Sequence, residues 1–186
     1  MAAGSGSRFG RNKLEAVVDG KSLLRRSLEA VPAEEFAQVT VVTQYDAAAA
    51  LAEEFGFTVV RNDRPEDGLS RTVRLGTEAM AGCGAILYQV ADQPLLEQET
   101  VRRELEYFRT HPDHIVGLAH NGVRGNPCIF PRKFFPELMA LEGDVGGNVV
   151  IRAHPEELLL YETSAAELRD VDTVEALAAV QEDRQI

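Results

Sequence analysis

Short apolar runs alternate with longer stretches of helical period along this chain. Gln38–Thr43 (QVTVVT) is short and β-branched, as a buried strand is. Phe57–Arg61, Ala85–Val90 (AILYQV), Ile115–Ala119 and Leu158–Tyr161 read as further strands. Between them, Asp46–Phe55 is alanine-rich with an acidic end and predicts a helix. Ser70–Ala81 predicts a helix capped by Ser70, and Glu97–Arg109 a charged amphipathic one. Arg132–Ala140, Val145–Ala153 and Thr173–Gln181 read as helical, and Gly122–Pro131 as a turn or hairpin. The alternation predicts a three-layer α/β fold with a mostly parallel sheet and right-handed crossovers. Ligands of such sheets bind outside the carboxyl ends of the strands. No repeat or linker interrupts the pattern, so residues 1–186 read as one domain.

Composition narrows the function. The chain has 186 residues, 45% hydrophobic, with 19 basic against 30 acidic side chains and a net charge of −11. That balance argues against nonspecific binding to nucleic acid or anionic lipid. Cys83 and Cys128 are the only cysteines, too few for a disulfide framework and without zinc spacing. No signal peptide or bilayer-length apolar run is present, which makes the cytoplasm the expected compartment. His111, His114, His120 and His154 have no partners at metal-ligand spacing and read as solvated or capping residues.

The chemistry concentrates first at residues 2–13, AAGSGSRFGRNK. Small residues let the backbone curl and aim its N–H groups at one point, and Arg8 and Lys13 make that point attractive to a polyphosphate. Gly20-Lys21-Ser22 is not a Walker A loop, because Glu15 stands where its first glycine must be. Phe9 breaks the dinucleotide fingerprint at its third glycine. Only Met1 precedes the run, so the strand expected ahead of it is truncated or missing.

Asp92, in Val90-Ala91-Asp92-Gln93-Pro94, follows a predicted strand and can hold Mg²⁺ beside phosphate oxygens. Asn62–Ser70 is a long polar loop ending at a helix start, able to surround a base. Arg124-Gly125-Asn126-Pro127 reads as a hairpin turn, and Asp144 as an acidic cap. Asp170 and Asp172 alternate, so they point to one face of an extended segment. Asp172 serves equally as a metal ligand or as the cap of the final helix.

Together these segments resemble the MobA-like NTP transferases, in the molybdenum cofactor cytidylyltransferase (MocA-like) branch. Ala2-Ala3-Gly4 with Arg8, Gly10 and Lys13 is similar to the family's opening A-A-G-x-S/G-x-R-x-G-x-x-K. Ala91-Asp92-Gln93-Pro94 is similar to its Gly-Asp-Gln-Pro, with Ala91 for the glycine. Gly68-Leu69-Ser70 resembles the core of its base and ribose segment. Asn126 stands for the histidine of its R/G-G-H-P segment, and Gly147-Asn148 for the Ala-Arg of its G-D-x-G-A-R. Asp170-Val171-Asp172-Thr173 resembles its D-I-D-T ending.

The resemblance implies a Rossmann-like nucleotidyltransferase fold of the nucleotide-diphospho-sugar type. It implies an Mg²⁺-dependent enzyme that joins CMP from CTP to a molybdopterin cofactor phosphate and releases pyrophosphate. Arg8, Lys13 and Asp92 then act in catalysis. Ala2, Ala3, Gly4, Ser5, Gly6, Ser7, Arg8, Gly10, Lys13, Asn62, Gly68, Leu69 and Ser70 hold the nucleotide. Gln93, Asn126, Asp144 and Arg152 meet the acceptor, and Asp92 and Asp172 hold the metal. A molybdoenzyme or its chaperone is the implied protein partner. Two other readings stay open: a guanylyltransferase or sugar- or polyol-phosphate nucleotidyltransferase of the same fold, and a non-catalytic nucleotide-binding accessory to molybdoenzymes.

Overall fold

The structure, a computed structural model, describes residues 13–173 and 175–178. The glycine-rich run 2–12, the strand expected ahead of it and the end of the final helix lie outside the described residues.

The described chain opens with a small hairpin, β1 (Val17–Val18) and β2 (Lys21–Ser22). Its turn, Asp19-Gly20, takes positive φ at both positions (46° and 74°), which Asp and Gly tolerate. Ser22 then accepts a hydrogen bond from Arg25 N (3.2 Å) and caps α1 (Leu23–Glu29). Thus Gly20-Lys21-Ser22, with the spelling of a phosphate loop, is a turn and a cap.

There follow β3 (Thr40–Thr43), α2 (Asp46–Glu54), β4 (Thr58–Arg61), α3 (Leu69–Ala79), β5 (Ala85–Tyr88) and α4 (Gln98–Thr110). The chain closes with β6 (Ile115–His120), β7 (Val123–Pro131), α5 (Phe135–Met139), α6 (Asn148–Ala153) and β8 (Leu158–Glu162). Residues 175–178 are helical. The predicted strands and helices are found with shifted ends. The short β1, β2 and α1 were not predicted.

The α/β expectation holds, but the sheet is mixed rather than mostly parallel. β3 and β4 pair in parallel, with Val41 opposite Val59. The larger sheet has the order β5-β7-β6-β8. In it β7 runs antiparallel to both neighbours, and only β6 and β8 are parallel. The cause is local. Asn121 and Gly122 both take positive φ (51° and 74°), a tight turn that sends β7 straight back along β6. The segment predicted as a turn is therefore a nine-residue strand beyond that turn.

Helices cover both faces. Ile115 packs with Val73 of α3, Leu138 of α5 and Val150 of α6. Its neighbour Val116 points the other way, onto Val101 and Leu105 of α4. No helix of the described residues is long and apolar enough to cross a membrane.

One core position contradicts its chemistry. Glu104 of α4 is fully buried, and neither of its carboxylate oxygens has a hydrogen-bond partner. Burial raises its pKa well above 4.5. In the unfolded chain this carboxyl loses its proton near pH 4.5, whereas in the folded chain it keeps it to higher pH. Folding stability therefore falls as pH rises from about 4.5 through the folded value. Glu104→Leu is expected to add ~1–3 kcal/mol at pH 8, and less at pH 4.5. Urea denaturation at the two pH values checks this, and an equal gain at both would disprove it.

Candidate functional site

Beyond the carboxyl end of β5 the chain leaves the sheet through Gln89–Ala91 and reaches Asp92. A second segment lies against it. Val171 N donates to Asp92 O (2.8 Å), and the Val171 side chain is buried with Ala16, Val18 and Leu23. With Val171 turned inward, Asp170 and Asp172 face the other way, as their alternation predicted. Between the two segments sits Lys13. Its Nζ is 2.6 Å from Asp92 Oδ2 and 2.7 Å from Asp172 Oδ1.

Burial pulls the Lys13 pKa down, but hydrogen bonds to Asp172 and Asp92 more than offset it, so the pKa is raised and Lys13 stays an ammonium. Asp170 is instead biased toward its neutral form. Burial and then the charge of Asp92 push its pKa up, against a hydrogen bond from Gln93. Gln93 is itself buried, and its Nε2 donates to Leu168 O (3.2 Å). It braces the acidic segment from below.

The pair Asp92 and Asp172 fits a magnesium ion. Two carboxylates already converge on one cationic group, and Asp92 Oδ1 is buried with no hydrogen-bond partner. Among the described residues no three His, Cys, Asp or Glu side chains form an all-protein cage. Magnesium does not require one, since it takes one or two carboxylates plus phosphate oxygens.

The 62–70 loop is locked from within. Asn62 is buried; its N donates to Thr43 O (2.9 Å) and its Nδ2 to Thr72 Oγ1 (3.2 Å). Its Oδ1 accepts from Arg64 N (3.2 Å) and Arg71 Nε (3.0 Å). The loop ends at Gly68, with φ +85°, where a Cβ would lie 2.5 Å from Gly143 O. Ser70 N donates to Gly143 O (3.2 Å) and Leu69 N to Asp144 Oδ1 (3.2 Å). Gly68 is the N-cap residue of α3 and has no side chain to offer. Asp144 therefore caps α3 from 75 residues away, where a negative charge favours the helix dipole. The expected cap Ser70 is instead inside the first turn, buried, with its Oγ unpartnered.

Of the residues assigned to an acceptor only Asn126 lines a small cavity, together with Arg124, Gly147, Asn148 and Phe130, while Gln93 and Asp144 are engaged elsewhere. Arg124 Nη2 donates to Asn148 Oδ1, and its Nη1 to Gly125 O (3.0 Å) and Cys128 Sγ (3.0 Å). Burial pushes the Cys128 thiol up to about 11, so it stays protonated. Arg152 is exposed, one turn beyond Asn148 on α6. The three groups are contiguous. Leu168 lies against Gly125, and Leu69 against Gly146. Asp172 turns to Lys13, whereas Ala176 N donates to Thr173 Oγ1 (3.1 Å), so Thr173 caps the last helical turn. Ala2, Ala3, Gly4, Ser5, Gly6, Ser7, Arg8 and Gly10 lie outside the described residues.

Sequence reasoning missed two cations. Arg71 braces Asn62 and Asp63, and its position in the first turn of a helix that follows a polar loop was the available signal. Arg124 places a guanidinium beside Asn148, where the sequence shows no basic residue. Only the antiparallel return of β7 brings it there.

The family model of the MobA-like NTP transferase domain matches residues 1–158. The bifunctional protein GlmU of Bifidobacterium animalis subsp. lactis is 30% identical over 128 residues, 64% of this chain and 28% of that protein. The chain thus spans about a quarter of that relative's length. Among solved structures, Rv0371c of Mycobacterium tuberculosis superposes with a TM-score of 0.78 at 23% identity, covering 97% of this chain and 94% of that one. The mycobacterial protein has also been solved in complex with manganese. Molybdopterin-guanine dinucleotide biosynthesis protein A of Archaeoglobus fulgidus superposes with a TM-score of 0.72 at 16% identity, covering 99% and 96%. These likenesses establish the Rossmann-like nucleotidyltransferase fold.

Proposed function

The chain belongs to the MobA-like NTP transferase family, and on that footing we propose that it transfers CMP from CTP to the phosphate of a molybdopterin-type cofactor, releasing pyrophosphate. The observation that carries this reading is the Lys13 ammonium held between Asp92 and Asp172 beyond the carboxyl end of β5. That is where open α/β sheets take their ligands.

In the proposed reaction Lys13, Arg8 and the backbone of residues 2–10 grip the triphosphate. An oxygen of the acceptor phosphate attacks the α-phosphorus of CTP in line. The new P–O bond forms as the bond to the bridging oxygen breaks, and its electron pair leaves on pyrophosphate. Lys13 and Arg8 neutralise the departing charge, so catalysis is positioning plus electrostatics. Asp92 and Asp172 would hold a magnesium ion, which would supply charge neutralisation for the phosphates.

Asn62 keeps the nucleotide loop in shape, and Gly68, Leu69 and Ser70 form its edge against base and ribose. Arg124 and Arg152, with Asn126 and Asp144, frame the acceptor, and Gln93 positions the acidic segment. The protein works as one domain in the cytoplasm, handing its product to a molybdoenzyme or that enzyme's chaperone.

Pyrophosphate release is measured with CTP, GTP, ATP and UTP, Mg²⁺, and either molybdopterin cofactor or a sugar or polyol phosphate. Release confined to CTP with the cofactor is expected. Turnover with GTP, or with a sugar or polyol phosphate, would reassign the substrates. No release with any combination would overturn the transferase reading.

A further inference from the structure

Asp170 and Asp172 stand on a segment that no sheet or helix orders. Residues 163–172 run from the end of β8 toward the last helical turn, with only a turn at 165–168 on the way. A backbone without a hydrogen-bond ladder keeps its place through individual contacts alone. Thr163 N donates to Ala119 O (2.8 Å) and so leaves β8 in register. Leu168 O accepts from Gln93 Nε2 (3.2 Å), and the Leu168 side chain lies against Gly125 of β7. Val171 N donates to Asp92 O (2.8 Å), and its side chain is buried.

The remaining anchor is Glu167. Its Oε2 accepts from Thr163 Oγ1 and from Ser164 Oγ (3.1 Å), and Ser164 Oγ accepts from Glu167 N (3.3 Å). These bonds close the turn on itself. Its Oε1 accepts from Glu97 N (3.3 Å), and Thr100 hydrogen-bonds the same carboxylate. Glu97 is the N-cap residue of α4 and makes no side-chain cap. Glu167 thus caps α4 from 70 residues away, with its negative charge at the helix end that favours it. Burial works against the carboxylate, but bonds from Thr100, Thr163, Glu97 N and Ser164 more than offset it and lower its pKa.

The acidic segment needs such an anchor. Asp170 lies in the field of both Asp92 and Asp172, so the segment brings like charges together. Asp172 is half-exposed, and an ion pair like the one it makes with Lys13 holds little by itself. Helix α4, by contrast, is rigid: Val101 and Leu105 are buried against Val116 of β6.

We propose that Glu167 is a positioning residue of the acidic site: tied to the start of α4, it holds the 163–172 segment so that Asp172 stays opposite Asp92. Its consequence for metal and turnover rests on the transferase reading; the tether itself does not.

Glu167→Ala and Glu167→Gln are compared with the wild type, with Glu157→Ala as control, since Glu157 pairs with Lys133 at the surface. In metal-free Glu167→Ala, amide exchange of Val171 should speed up at least ~10-fold, while Ile129, inside the larger sheet, changes by less than ~3-fold. Mn²⁺ affinity, read by electron paramagnetic resonance, should fall ~10-fold. The Mg²⁺ concentration for half-maximal pyrophosphate release should rise by the same factor, with KM for CTP at saturating Mg²⁺ within ~3-fold. Glu167→Gln keeps an oxygen for Glu97 N and an amide for the two hydroxyls, so it should stay within ~3-fold of the wild type throughout. Glu157→Ala should match the wild type. Equal acceleration of Val171 and Ile129 would reduce Glu167 to general stability and overturn the proposal, as would unchanged Val171 exchange. Alanine-like behaviour of Glu167→Gln would put the charge in place of the tether and overturn it too. The expected exchange pattern in a protein that releases no pyrophosphate would uphold the tether and dismiss the transferase reading.

Discussion

Asp92→Ala is expected to lower CTP-dependent pyrophosphate release by ~10³-fold while leaving CTP affinity within a few-fold. Asp92 does two things at once: Oδ2 anchors the Lys13 ammonium, and Oδ1 is a buried oxygen with no hydrogen-bond partner. The substitution removes both the brace of the Lys13 ammonium and half of the carboxylate pair. Lys13 keeps Asp172, but that carboxylate is half-exposed, and an ion pair of that kind contributes ~0–1 kcal/mol. On the proposed reading nucleotide binding draws on Arg8 and the glycine-rich run as well, so it should survive better than turnover. Asp92→Asn separates the functions: it keeps the shape and one acceptor oxygen but loses the charge. It is expected to match alanine in turnover. Steady-state kinetics with a coupled pyrophosphate assay, alongside isothermal titration with CTP, read both quantities. Wild-type-like turnover in either variant would remove Asp92 from the reaction, and an inactive wild type that still binds CTP would favour a nucleotide-binding accessory.

What was legible in the sequence was local. β-branched runs gave strands, and the Asp170–Asp172 alternation put two carboxylates on one face because a strand-like backbone has a period of two. The turn dipeptides Asp19-Gly20 and Asn121-Gly122, which the sequence reading passed over, also carry their conformation in their own chemistry. The rest depends on partners far along the chain. Lys13 meets Asp92 across 79 residues and Asp172 across 159. Asp144 caps a helix 75 residues before it because Gly68 left that helix end without a side chain. Arg124 reaches Asn148 only because β7 is inserted between β5 and β6, an arrangement that no periodicity encodes. The sheet read as mostly parallel for the same reason. Alternating strands and helices imply crossovers, whereas a two-residue turn breaks the rule at one place and reverses a strand of nine residues.

Gly68→Ala is expected to cost ~3 kcal/mol of stability, about twice the cost of the same change at Gly143. Both glycines hold positive φ, +85° and +72°, so each loses ~1–2 kcal/mol when a Cβ is added to that backbone. They differ in surroundings. At Gly143 the added carbon meets nothing within 4 Å. At Gly68 it meets Gly143 O at 2.5 Å, Gly143 C at 2.6 Å and Asp144 N at 2.8 Å. These are backbone atoms, which cannot swing aside as a side chain would. The two loops must part, and parting breaks the Ser70–Gly143 and Leu69–Asp144 hydrogen bonds that start α3. The cost therefore reaches function as well as stability. If this edge meets base and ribose as proposed, uncapping the α3 start moves it, so KM for CTP should rise by ~10-fold or more while kcat, which the proposal assigns to Lys13 and Asp92, changes less. Urea denaturation and steady-state kinetics of Gly68→Ala and Gly143→Ala together decide the matter. Equal destabilisation would mean that backbone conformation alone governs both positions and that the contact between the loops carries no weight.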